Sequence, residues 1–416
     1  MNYLNSKTFC ASAWFSIRSD NIERFSPCCG IDCSKSKFDG KVDYTLGDSF
    51  ETWHNSEYMQ YLRKELDSGE FPEECFKCRN AERHGLPSLR QRTNNTIANN
   101  STDALTLETV ANNLNLHEIN NSWMSVFFHN KKDLTSDVVV SMDSMVSNFC
   151  NFECVMCFPH DSSKIKSRWE KNKTHPGLEY MFEVNPQFKD TSMALVKNPN
   201  AIETFRNVVN NQPLNFLHIR GGEPFIDNNV ISTLEQLPID KKKNIRLLFN
   251  SNCSVELTPV IDRLKGFKDI IIIASLDGIG DTAEYVRKHC VWDKTESSIL
   301  NAIKNTDAII KVHCTIHALN VLWINELEEW CDTHNLELTF EFVHRPDHLS
   351  LSAVPTEILQ QASNKIKNKG IKGRIAEYKF SEELHKHLLN YVEFYNESSN
   401  TKFKDLLKKK GTEVPF

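Results

Sequence analysis

The chain has 416 residues, 40% of them hydrophobic and 25% charged, with a formal net charge of -6. That leaves room for two or three domains with a sizeable core, and the charge balance points away from a specific nucleic-acid partner. The start, MNYLNSKTFC, lacks a basic run and an apolar core, and the longest apolar run, around Ile270–Ser275, is strand-sized; the expectation is a cytoplasmic protein with no membrane partner.

Thirteen cysteines in a reducing compartment argue against a disulfide framework, and their grouping separates them. Cys10, Cys28, Cys29, Cys33, Cys75 and Cys78 fall in the first eighty residues and Cys150, Cys154 and Cys157 form a central triplet, whereas Cys253, Cys290, Cys314 and Cys331 are scattered singly. The first two groups read as ligands and the last four as small hydrophobes.

Residues 1–90 are expected to form a compact cysteine-rich unit. Phe9–Phe15 could open a strand, Ser26–Gly30 reads as a turn after a second strand, and Trp53–Ser68 has the apolar spacing of a helix. Cys75-Phe76-Lys77-Cys78 is a CxxC, which presents two thiolates to one metal through a tight turn and, alone, suits zinc, a redox dithiol or an iron–sulfur cluster. Cys10 and either Cys28 or Cys29 would complete a set of four. Residues 91–132 read as a linker, polar over Asn94–Asn100 and weakly helical over Thr106–Asn121.

From residue 133 the pattern becomes strand–helix alternation. Strands are expected at Val138–Met142, Phe216–Arg220, Ile245–Phe249, Ile270–Leu276, Lys311–Ile316 and Leu336–Val343, each about one helix apart. This spacing predicts an α/β fold of parallel βα units, a partial (β/α)6 barrel over 133–345. Residues 346–416 are mostly polar and helical, a C-terminal extension with one apolar face at Tyr391–Phe394.

The triplet, Cys150-x3-Cys154-x2-Cys157, can hold three irons of a 4Fe-4S cluster and leave the fourth open to a ligand; the bland reading is structural zinc or three unrelated thiols. The loops at the carboxyl ends of parallel strands surround the open face, where function collects. There stand Arg220-Gly221-Gly222-Glu223-Pro224, Asn250-Ser251-Asn252, and Ser275-Leu276-Asp277-Gly278 with Arg287 downstream. Glycines admit close approach to the backbone, the Glu223 carboxylate could accept from an ammonium group, and Asn250, Ser275 and Asp277 could hydrogen-bond a ribose. His313, Thr315 and His317 alternate with apolar neighbours, as do Glu337, Thr339 and Glu341. Those polar faces would line the cavity, with Asp277, His317 and Glu341 as candidate catalytic groups.

In this order and on this repeat, the motifs resemble the radical S-adenosylmethionine (SAM) superfamily. Cys10, Pro27-Cys28-Cys29, Trp53-His54-Asn55-Ser56, Arg63 and Cys75-x2-Cys78 are similar to its twitch domain, the shortened relative of the SPASM domain. The likeness covers residues 1–90 and about 133–345. It implies that Cys150, Cys154 and Cys157 bind the cluster and that SAM chelates the open iron. The Gly221–Pro224 turn would then hold the SAM amino group, Met156 would pack on the adenine where an aromatic residue is common, Ser275 and Asp277 would lie near the ribose, and Arg287 near the methionine carboxylate. Reductive cleavage of SAM would give a 5′-deoxyadenosyl radical that abstracts a substrate hydrogen. Cys10, Cys28, Cys75 and Cys78 would bind an auxiliary 4Fe-4S cluster that accepts an electron, which favours a net oxidation. The implied substrate is a peptide or protein side chain, or else a small polar molecule such as an aminosugar or nucleotide derivative, and the implied electron source is a flavodoxin- or ferredoxin-type reductant. A non-catalytic zinc or iron–sulfur protein is the competing class.

Overall fold

The structure is a computed structural model, and it describes residues 7–19, 24–44, 48–85, 87–100, 134–136, 138–188, 199–397 and 402–411. The expected helix over Thr106–Asn121 lies outside the described residues. The fold is mixed α/β around one eight-stranded sheet. Its strands are β1 (Ser16–Ser19), β2 (Phe25–Ser26), β3 (Ser141–Met145), β5 (Phe216–Arg220), β6 (Arg246–Ser251), β7 (Asp269–Ser275), β9 (Ile309–Ile316) and β10 (Leu338–Phe342). A separate antiparallel pair is formed by β4 (Glu153–Cys154) and β8 (Arg287–Lys288).

Six strands, in the order β3-β5-β6-β7-β9-β10, are parallel neighbours. They are the six expected from the sequence, and helices join successive members. Alternation fixes which face is which: Leu217 and Ile219, Leu247 and Phe249, Val312 and Cys314 turn to the buried, helix-covered side. Half-buried residues such as Asp143, His218, Asn250, Ser275 and His313 occupy the other side. The first of the six begins later than expected. Val138–Val140 is consumed by bonds to its flanks, with Val140 N donating to Phe15 O (2.9 Å) and Asn215 N donating to Val140 O (2.9 Å).

The N-terminal unit is not set apart from this sheet. Strand β1 pairs parallel with β3, placing Arg18 opposite Asp143, and β2 closes the edge antiparallel to β1. Phe9–Phe15 does not open a strand: Ser12–Phe15 is a helical turn, and the strand starts only at Ser16. The expected helix over Trp53–Ser68 divides at Asn55 into Phe50–His54 and Glu57–Ser68, because the Ser56 hydroxyl accepts from Met59 N and caps a new start. The buried Arg63 ties the unit together, donating through Nε to Ala13 O (2.8 Å) and through Nη1 to Leu134 O (2.7 Å).

The stretch Asn94–Asn100, expected to be linker, is the second half of a helix, Leu89–Asn100. The reason is one buried side chain: Asn94 accepts from Ala11 N (2.7 Å) and donates to Phe9 O (3.0 Å), which anchors a polar helix that has little apolar face of its own. No helix among the described residues is long and apolar enough to cross a membrane.

Candidate active site

The three cysteines of the triplet sit in the segment between β3 and the helix Ser163–Lys171, with Cys154 in β4, and three strand ends meet it. At the end of β5 the chain turns through Gly221 and Gly222, both with positive φ (86° and 55°). A Cβ on Gly222 would stand 2.3 Å from Phe149 O, and one on Gly221 would stand 2.2 Å from Met145 Cγ. Only glycine fits two such positions in succession. Glu223 N then donates to Phe149 O at 2.8 Å, bonding this turn directly to the triplet loop.

At the end of β6, Asn252 Nδ2 donates to Asn151 Oδ1 (3.0 Å), Asn151 Nδ2 donates to Ser254 Oγ (2.8 Å), and Asn252 Nδ2 lies 4.0 Å from Cys150 Sγ. From the other side β8 pairs with β4, setting Arg287 opposite Cys154. Arg287 Nη1 stands 3.7 Å from Cys154 Sγ.

These contacts set the electrostatics. Burial pushes the Cys150 thiol up to about 12. Within the Cys154–Cys157 pair, the bond donated by Cys157 lowers Cys154 and raises Cys157, and the Arg287 guanidinium adds to the lowering.

Several residues expected at the site are braces of it. Glu223 is fully buried: its carboxylate accepts from Ser251 Oγ (2.8 Å), Asn252 N (2.6 Å) and Phe225 N (3.1 Å). Burial pushes it up to about 7 against those bonds. Asp277, also fully buried, lies 2.7 Å from Arg287 Nη2 and accepts from Thr315 N at 2.8 Å. Its partners in the structure are thus Arg287, which it holds beside Cys154, and the backbone of β9. Arg287 itself bridges Asp277 and Cys154 through its two terminal nitrogens.

His317 lies beyond the end of β9 and is fully buried; its Nδ1 accepts from Leu319 N (3.1 Å), and burial pushes the ring down to about 3. It does not line the open face. Glu341 does: it is exposed, and it pairs in register with Thr315 on the same side as Ser275 and His313. Met156, Gly221, Gly222, Asn250 and Ser275 are partly accessible, and Pro224 is buried.

The most consequential residues missed in the sequence come from the C-terminal helix Glu382–Glu397. Tyr391 Oη donates to Val155 O (2.9 Å). Tyr395 Oη donates to Glu153 O (2.9 Å), with Tyr285 O at 3.0 Å and Lys288 N donating back to it at 3.4 Å. Both hydroxyls thus pin the backbone between Cys150 and Cys157. The Arg168 guanidinium lies 4.1 Å over the Phe394 ring and 3.5 Å from Glu153. In sequence these tyrosines read only as an apolar stripe; nothing marks the hydroxyl as the working end.

The second cysteine group assembles in the N-terminal unit. Cys10, Cys28, Cys75 and Cys78 line one small enclosed cavity of about 20 Å3, together with Phe71, Leu89 and Arg90. Burial raises Cys10, Cys28 and Cys75, and for Cys28 and Cys75 the Cys10 thiol raises them further. Four cysteines that line one cavity fit a positively charged metal centre, whose charge would offset the burial that keeps the thiols protonated. Cys29 is exposed, and Cys33 faces Tyr58 Oη at 3.7 Å, so Cys28 is the member that joins the set. Among the described residues, no three His, Cys, Asp or Glu side chains are gathered around a single ion-sized point. The four scattered cysteines are all buried in the core, as expected.

Comparison with known proteins adds little. No protein-family model and no curated protein matches the sequence. Among solved structures, one described as native anSMEcpe with bound AdoMet and Cp18Cys peptide is 13% identical, with a TM-score of 0.37 over 57% of this chain and 61% of that one. Streptococcus suis SuiB bound to S-adenosylmethionine is 12% identical, with a TM-score of 0.34 over 70% of this chain and 62% of that one. SuiB bound to the precursor peptide SuiA gives 11% identity and a TM-score of 0.31 over 96% and 75%. The chain thus spans about three fifths of the first two proteins' length. Similarity of this degree, with TM-scores below 0.5, leaves the assignment to the chain's own residues.

Proposed function

We propose that this chain is a radical SAM enzyme that takes a hydrogen atom from a peptide or protein side chain, with a net oxidation as the outcome. The observation that carries the reading is the union of two motifs: the Gly221-Gly222-Glu223 turn is bonded to the triplet loop at Phe149 and admits no side chain at its contact. Cys150, Cys154 and Cys157 would hold a 4Fe-4S cluster. When bound, that group supplies the electron that splits SAM into methionine and a 5′-deoxyadenosyl radical.

The chain's own residues do the positioning. Backbone groups at Gly221 and Gly222 stand bare for a SAM amino group, while Glu223 stiffens the turn from behind. Asn250, Ser275 and Met156 are the accessible groups for the nucleoside. Glu341 and Thr315, on the open face, are candidates for the substrate. Arg287, fixed by Asp277, puts positive charge beside Cys154, and a buried cation at a cluster ligand favours the reduced cluster.

Cys10, Cys28, Cys75 and Cys78 would hold the auxiliary 4Fe-4S cluster. A zinc ion needs four sulfurs about 2.3 Å from one point. A cubane takes one thiolate at each of four irons, and the four cysteines that line one cavity would supply them. Metal analysis after anaerobic reconstitution tests the pair of sites. The wild type is expected to hold about eight irons, and the chain with Cys150, Cys154 and Cys157 replaced by Ala about four. Zinc in place of iron, or no residual iron in the triple variant, refutes the auxiliary assignment.

A further inference from the structure

The strand pair β4–β8 has a second face that neither cysteine site uses. Successive side chains of a strand point to opposite faces. Arg287 reaches both Cys154 and Asp277 from one face of the pair, so Glu153 and Lys288, the next residues in register, stand on the other. There three cations meet one carboxylate. Glu153 lies 2.9 Å from His289 Nε2, 3.4 Å from Lys288 Nζ and 3.5 Å from Arg168 Nη1. Against its burial, the His289 bond and the Lys288 and Arg168 charges hold the Glu153 carboxyl below its usual range.

The surface beyond is basic. The helix Ser163–Lys171 packs against β4 and buries Ile165 and Trp169. Lys164, Arg168 and Lys171 stand at i, i+4 and i+7, on one face of that helix. Arg168 reaches Glu153, while Lys164 and Lys171 are exposed. Residues 163–173 carry five basic side chains and one acidic one, in a chain whose net charge is -6. Glu170 pairs with Lys166, and Glu397 at the rim pairs with His175. Burial lowers the Lys288 pKa against Glu153, and the Arg168 and Lys164 charges add to the lowering, so Lys164 belongs to the same patch. His289 remains 40% exposed. A surplus of positive charge thus lies one strand's thickness behind Cys154.

We propose that the surface formed by Lys164, Lys171, Lys288 and His289 docks an acidic one-electron carrier protein, which passes its electron through β4 to the triplet site. This rests on the radical SAM reading, in which cofactor and substrate occupy the open face and the electron must enter from elsewhere. One electron leaves the carrier's reduced flavin or iron–sulfur centre and enters the triplet site; no bond forms or breaks. Complementary charge speeds such encounters and sets their orientation, and redox interfaces are small and transient, which suits a patch of this size. The position directly behind Cys154, which a nucleic acid has no use for, decides for a carrier protein.

The test uses an acidic flavodoxin and the anaerobically reconstituted protein. Isothermal titration with oxidised flavodoxin gives the affinity, and stopped-flow mixing of reduced flavodoxin with protein and SAM gives the rate of flavin oxidation. Lys164→Glu combined with Lys171→Glu should lower each about tenfold at low ionic strength. Release of 5′-deoxyadenosine with dithionite should stay at the wild-type level. Lys365→Glu combined with Lys369→Glu, equally exposed beside β10, adds the same charge elsewhere and should leave both readings within about twofold. In the wild type alone, affinity should fall at least about tenfold as ionic strength rises from about 0.05 M to about 0.5 M. Absence of binding, affinity indifferent to salt, or a Lys164/Lys171 variant that binds and oxidises flavodoxin as the wild type does, overturns the proposal. So does equal weakening by the Lys365/Lys369 pair, which would reflect net charge alone. Duplex RNA that binds the wild type and not the Lys164/Lys171 variant also overturns it, since the surface would then serve a nucleic acid. Protein that releases no 5′-deoxyadenosine with dithionite refutes the radical reading whatever flavodoxin does; protein that cleaves SAM with dithionite but oxidises flavodoxin regardless of these lysines refutes this inference alone.

Discussion

Replacing Tyr391 and Tyr395 together by Phe removes two hydroxyls and no ring. Each hydroxyl donates to a backbone carbonyl of the cluster loop at 2.9 Å, Val155 O and Glu153 O. Both tyrosines are about 1% exposed, so water does not replace the lost donors. A neutral hydrogen bond contributes about 1 kcal/mol net, and leaving its buried acceptor unsatisfied costs about 1–3 kcal/mol. The double variant should therefore lose roughly 2–4 kcal/mol, a large share of the 5–15 kcal/mol typical of a folded chain. The loss falls on the residues between Cys150 and Cys157, whose backbone must hold three thiols at fixed positions. The assay is urea denaturation of the metal-free protein, paired with iron analysis after reconstitution. The expected result is a lower midpoint and iron falling from about eight towards about four per chain, with the auxiliary set still filled. Unchanged midpoint and full iron would show that the C-terminal helix does not brace the loop.

Three further outcomes follow from the same geometry. Gly222→Ala forces a Cβ to 2.3 Å from Phe149 O at a φ of 55°, so the variant is expected to lose the triplet cluster, whereas Gly373→Ala, with nothing within 4 Å, should be neutral or stabilising by about 0.5–1 kcal/mol; iron content and thermal melts compare them. Cys28→Ala should halve the iron while Cys29→Ala leaves it unchanged, because only Cys28 lines the four-thiol cavity; equal loss from both would contradict the assignment.

The third concerns pH. Burial between Tyr180 and Tyr391 pushes His348 down to about 3. The unfolded ring, near its usual value of about 6.5, binds more protons than the folded one between those limits, so the buried ring destabilises the fold as pH falls below about 6.5. At pH 5 this amounts to roughly 1.5 units, or about 2 kcal/mol. His348→Phe should reduce the difference in unfolding free energy between pH 7.5 and pH 5 by about that amount; an unchanged difference would show that His348 titrates normally.

The six parallel strands were legible because each carries an alternation or a short apolar run about one helix from the next, and parallel βα units have few other solutions. The triplet, the double glycine and the four N-terminal thiols were legible because cysteine and glycine have narrow uses. Roles set by burial were not. Asp277 stands at a strand end where a carboxylate is usually open to a ligand, and only β8, paired with the triplet loop, brings Arg287 to it. His317 continues the polar face of its strand in sequence, but the strand ends at Ile316 and the ring is buried. Asn94 converts a polar stretch into a docked helix through two backbone bonds that no local pattern announces. Strand β1 is too short to be assigned to a particular sheet from its own residues, yet it carries Arg18 onto the open face.

The most direct test of the central claim is release of 5′-deoxyadenosine by the anaerobically reconstituted protein, given SAM and dithionite. The wild type is expected to yield 5′-deoxyadenosine and methionine in equal amounts, and the chain with Cys150, Cys154 and Cys157 replaced by Ala to yield neither. Iron-replete wild type that releases no 5′-deoxyadenosine, or a triple variant that releases as much as the wild type, would contradict it.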